Sequence, residues 1–111
     1  MNTWIDGRKG ARIDVRDRGL QYGDGLFETM RVRGGEVRFM DYHLERLAEG
    51  CSRLKIAGPS SAALRRELGR IAALRSEGVL KLILTRGRGR RGYRPTGQER
   101  CTRIVALHPP P

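Results

Sequence analysis

Apolar and polar positions follow two rhythms along this chain, and the changes between them divide it into elements. Thr3 to Lys9 holds Asp6-Gly7 between short flanks. Asp-Gly is a favoured pair for a two-residue hairpin turn because both positions tolerate positive φ. From Leu26 to Arg33 the period is two, with Leu26, Met30 and Val32 on one face and Phe27, Thr29, Arg31 and Arg33 on the other. Gly34-Gly35 predicts a second tight turn, from which Glu36 to Met40 returns as the other arm.

The rhythm then becomes helical. Asp41 is placed to cap a helix whose apolar positions are Leu44, Leu47, Ala48, Cys51 and Leu54, with Gly58-Pro59 as its stop. Ser60 or Ser61 caps a second helix with a stripe of Leu64, Leu68, Ile71 and Ala72, and Gly78 is its expected C-terminal stop. Val79 to Thr85 and Thr102 to Leu107 are apolar runs of strand length, separated by the Gly- and Arg-rich loop Arg86 to Gly97. Hairpins, two helices and two more strands predict an α+β domain, a mostly antiparallel sheet with two helices packed on it. His108 and the three prolines after it read as the start of an interdomain linker, because proline donates no hydrogen bond to a strand ladder. The domain is therefore set at 1–107 and the linker at 108–111.

With 111 residues, 38% of them hydrophobic, one folded domain is expected. The formal charge of +11 invites a nucleic-acid reading, since basic surfaces attract phosphates without base-specific contacts. The cations are twenty Arg and three Lys (Lys9, Lys55 and Lys81), spread over every predicted element. Spread of this kind fits Arg-rich codon usage better than a binding stripe. A basic nucleic-acid-binding module using the Arg-Gly loop stays as the alternative from another class. Cys51 and Cys101 are far apart with no Cys-x-x-Cys partner and read as core thiols of a reducing cytoplasm. Two distant His do not suggest a zinc site, and no apolar run approaches a membrane span.

The run Asp17-Arg18-Gly19-Leu20-Gln21-Tyr22-Gly23-Asp24-Gly25-Leu26-Phe27-Glu28-Thr29 resembles the D-R-G-x-x-[YF]-G-D-G-x-[FY]-E signature of class IV aminotransferases, the fold-type IV pyridoxal-phosphate enzymes. His43-Leu44-Glu45-Arg46-Leu47 resembles that family's H-x-x-R-L helix. The resemblance implies that Arg46 binds the phosphate of pyridoxal 5'-phosphate, a role suited to a rigid fork of donors. Without the resemblance, Arg46 would read as a solvated helix arginine paired with a nearby glutamate. It also implies that His43 orders local structure and that Phe27 faces substrate.

Thr85-Arg86-Gly87-Arg88-Gly89-Arg90-Arg91-Gly92-Tyr93 is similar to the loop of the branch that cleaves aminodeoxychorismate to 4-aminobenzoate and pyruvate in folate biosynthesis. Arg91 is assigned to a substrate carboxylate and Tyr93 to a hydroxyl donor or packing surface, acting in trans across a homodimer. D-amino-acid or branched-chain aminotransferase activity is the alternative within the family. The resemblance places the catalytic lysine in a second domain beyond residue 111. No catalytic residue is therefore assigned here, and 1–111 alone is expected to be inactive. Lys81, inside an apolar strand, reads as structural.

Overall fold

The computed structural model describes residues 2–89, 95–97 and 99–111. The chain opens with strands β1 (Asn2–Ile5) and β2 (Arg8–Lys9). Ile5 pairs with Arg8, and Asp6 and Gly7 take φ of 51° and 84°, as a two-residue turn with two left-handed positions requires. A short helix α1 (Arg18–Tyr22) precedes β3 (Gly25–Arg33). After β4 (Glu36–Val37) come α2 (Met40–Leu54), α3 (Ser61–Ala72), β5 (Glu77–Thr85) and β6 (Thr102–His108). The strands form one six-stranded sheet in the order β2-β1-β6-β5-β3-β4, every pair antiparallel.

One face of this sheet is the core. Met30 and Val32 of β3, Leu80, Leu82 and Leu84 of β5, and Val105 and Leu107 of β6 are buried against α2 and α3. Leu44 and Leu47 come from α2, and Leu64, Leu68, Ile71 and Ala72 from α3, as the helical stripes predict. Of the expected α2 stripe, Ala48 is exposed, Cys51 is half-buried and Leu54 is 42% exposed. The other face carries no α2 or α3, and across it Phe27, Ile83, Ile104 and Ile5 lie side by side in register.

Several boundaries differ from expectation for local physical reasons. The return arm Glu36 to Met40 pairs as a strand only over Glu36–Val37, with one further bond from Arg38 N to Arg31 O at 2.8 Å. Phe39 then turns left-handed at φ 56° and the helix starts at Met40. Asp41 therefore lies in the first turn of α2 instead of capping it, and its carboxylate pairs with Arg65 of α3. Ser60 does cap α3, accepting from Ala63 N at 3.1 Å. Gly78 does not stop that helix, which ends at Ala72. It lies inside β5, where a Cβ would meet His108 O at 2.6 Å. β6 runs one residue past the expected end, with His108 paired to Val79. The five residues of α1 are too few to show a helical period in sequence.

Part of the positive charge is met by ion pairs spread over several elements: Arg18, Arg46, Arg53, Arg65, Arg86 and Arg103 each meet a carboxylate. Both cysteines are free and half-buried against the core, and burial pushes the Cys101 thiol up to about 11. Such thiols are poor nucleophiles at neutral pH. Among the described residues, no helix is long and apolar enough to cross a membrane.

Candidate functional site

The helix spacing of α2 puts Tyr42, His43 and Arg46 on the side that meets β3. Residue 28 shares the parity of Leu26, Met30 and Val32, so the Glu28 carboxylate projects from β3 toward that helix and is buried. Its Oε1 meets His43 Nδ1 at 2.7 Å and accepts from Arg46 Nη2 at 2.8 Å. Its Oε2 accepts from Arg46 Nε at 2.9 Å. Burial acts to raise the Glu28 pKa, but the hydrogen bonds from Arg46 and His43 outweigh it and hold the carboxyl below its ordinary value. With Glu28 ionised, Nδ1 of His43 carries the hydrogen.

Arg46 is thereby fixed in plane. Glu28 binds one edge of its guanidinium as a two-toothed fork. Nη1 donates to the Tyr42 hydroxyl at 3.2 Å, and the group lies 5.0 Å from the Tyr42 ring. A guanidinium carries five N–H donors; toward the described residues three are engaged, and the other two point to its outer end. Its side chain is 53% exposed. An oriented, half-exposed donor pair backed by a buried carboxylate fits a phosphate oxygen. The donor set suits the expected cofactor. Glu28 was not among the expected site residues, although strand parity and the closing Glu of the signature both marked it.

Most other charged residues of the signature build architecture. Asp17 caps α1, its Oδ1 accepting from Gly19 N at 2.8 Å. Asp24 Oδ2 accepts from Arg18 Nε at 2.9 Å and from Arg86 Nε at 2.8 Å. Burial acts to raise the Asp24 pKa, and the hydrogen bonds from Arg86 and Arg18 bring it below the ordinary value. Arg86 also donates to Lys55 O and Leu54 O, the terminal carbonyls of α2. One carboxylate thus ties α1, the root of the Arg-Gly loop and the end of the Arg46 helix together.

Phe27 lies next to Glu28 in β3 and so points to the opposite face. It is 60% exposed and lines a cleft of about 400 Å³ with Ile13, Leu20, Lys81, Ile83 and Ile104. The structure therefore places Phe27 on the side of β3 opposite to Glu28 and its partner Arg46. Arg91 and Tyr93 lie outside the described residues. No group of three or more His, Cys, Asp or Glu able to hold a metal occurs among the described residues.

Residues 25–111 match the family model described as amino-transferase class IV. The chain is 32% identical to an aminodeoxychorismate lyase of Vibrio harveyi over 86% of its own length and 35% of that protein. The crystal structure of 4-amino-4-deoxychorismate lyase from Pseudomonas aeruginosa superposes with a TM-score of 0.92 at 52% identity, covering 98% of this chain and 40% of that one. A hypothetical aminotransferase from Mycobacterium tuberculosis in its PLP-bound form superposes at 0.81 with 27% identity, over 98% of this chain and 39% of that one. The chain thus spans little more than a third of the length of these relatives.

Proposed function

From a chain that belongs to the amino-transferase class IV family, we propose the N-terminal part of a pyridoxal-phosphate-dependent lyase that converts 4-amino-4-deoxychorismate to 4-aminobenzoate and pyruvate. The observation that carries this is the 52% identity to the Pseudomonas aeruginosa lyase, well above the 27% to the PLP-bound aminotransferase.

Arg46 holds the cofactor phosphate through the two donors at its outer end. Glu28 and Tyr42 keep the guanidinium plane from rotating, so little orientational freedom is lost when the phosphate arrives. His43 holds Glu28 in place through Oε1, the oxygen that Arg46 Nη2 also contacts. The bound pyridoxal ring supplies an electron sink for the substrate's amine-bearing carbon. Phe27 offers the substrate ring an apolar wall. Arg91 takes a substrate carboxylate, and Tyr93 adds a hydroxyl or packing surface from the neighbouring subunit of a homodimer.

The second reading, an aminotransferase, is favoured by the likeness to the Mycobacterium tuberculosis protein. Product analysis separates the two. The full-length protein given aminodeoxychorismate and no 2-oxoacid is expected to release pyruvate and 4-aminobenzoate in equal amounts. Amino transfer that requires a 2-oxoacid, with no pyruvate release, would establish the aminotransferase instead.

A further inference from the structure

Beside Phe27, on the face away from α2 and α3, stands a cation that the strand pattern alone assigns to structure. Leu80, Leu82 and Leu84 of β5 face the helices, so Lys81 between them projects to the other side, next to Ile83 and level with Thr29 and Ala106 of the flanking strands. Its nitrogen lies 4.9 Å from the centre of the Phe27 ring. The side chain is half-buried in the cleft that Phe27, Leu20, Ile83 and Ile104 line. No carboxylate among the described residues comes within ion-pairing distance of it.

An ammonium is strongly hydrated, and half-burying one against isoleucine costs free energy that an aromatic face returns only in part. Elsewhere in this domain the buried Arg18 and the partly buried Arg86 and Arg103 have carboxylates facing them. Lys81 has instead an open cleft. We propose that Lys81 is an anion-binding residue that takes the ring carboxylate of the substrate lying against Phe27. The site rests on the lyase reading only for the identity of that substrate; the chemistry it recognises is a carboxylate on a flat ring. The four-carbon stem lets the nitrogen swing from the Phe27 face to the incoming oxygen atoms. Arg91 is then left for the enolpyruvyl carboxylate, and two anions of one substrate are read by two cations of different shape.

Calorimetric titration of the full-length protein with 4-aminobenzoate and with aniline isolates the carboxylate. Wild type is expected to prefer 4-aminobenzoate by about tenfold or more. Lys81→Met and Lys81→Gln should both erase that preference with little change in Tm, and Lys81→Arg should restore most of it. Full preference in the neutral variants, or none in wild type, overturns the proposal and leaves Lys81 as a packing residue over Phe27. Pyruvate release by wild type, measured in parallel, keeps the two claims apart. A protein that makes no pyruvate yet loses its carboxylate preference with Lys81→Met sinks the lyase reading and keeps the Lys81 site.

Discussion

Asp24→Asn is expected to destabilise the domain by about 3–5 kcal/mol, the usual cost of removing one partner from a buried ion pair. Arg18 and Arg86 share this carboxylate, and their side chains are 2% and 12% exposed. The asparagine keeps the shape but loses the charge between two guanidinium groups. Urea unfolding of the variant against wild type measures the effect, and a midpoint shift equivalent to less than about 1 kcal/mol would contradict it. The acid side supplies a second check. Asp24 and Glu28 both have carboxyl pKa values depressed by folding. The stability they add is therefore complete above the unfolded carboxylate range and drains as the pH falls through the lower folded values. Wild type should lose stability below that range, and Asp24→Asn should show a shallower loss because its share is already gone.

Gly87→Ala should be as damaging, for a reason of backbone geometry. Gly87 has φ 99°, and a Cβ built on it would lie 1.6 Å from Arg100 O. Its own carbonyl accepts from Arg18 N at 2.8 Å and its N–H donates to Thr85 Oγ1 at 3.0 Å, so the chain cannot move aside without breaking both. The left-handed conformation, the clash and the lost bonds together predict a loss of about 4 kcal/mol or more. Gly69→Ala is the matched control. It lies within α3 with open space where the methyl would go, and should stabilise by roughly 0.5–1 kcal/mol. Thermal unfolding of the two variants should move in opposite directions; a Gly87→Ala protein with wild-type Tm would contradict the account.

The elements that repeat a period over many residues were legible in the sequence. The stripe of Leu64, Leu68, Ile71 and Ala72, the alternation of β3 and the Asp6-Gly7 turn all appear where the pattern puts them. Features with no local sequence signature were not. The start of α2 depends on a left-handed Phe39, a residue with no such intrinsic preference. Gly78 looked like a helix stop, yet what requires glycine there is the approach of His108, thirty residues later in the chain. The Glu67 carboxylate, buried on the α3 stripe, is explained only by Arg103 reaching it from β6 at 2.7 Å. The site divided in the same way. A motif proposed Arg46, while its tie to Glu28 spans eighteen residues and is seen only in the packed helix and strand. Lys81 was hidden by its apolar neighbours, because alternation tells which side of a strand a residue takes but not what that side faces.

Arg46, held in plane by Glu28, is the proposed anchor for the cofactor phosphate. The most direct measurement is the equilibrium affinity of the full-length Arg46→Ala protein for pyridoxal 5'-phosphate, with Arg91→Ala as the control arginine. Arg46→Ala is expected to bind on the order of ten- to a hundredfold more weakly, with activity partly restored by added cofactor. Arg91→Ala should bind it as wild type does. If Arg46→Ala retains wild-type affinity for pyridoxal 5'-phosphate, Arg46 is a surface residue paired with Glu28 and the phosphate is held elsewhere.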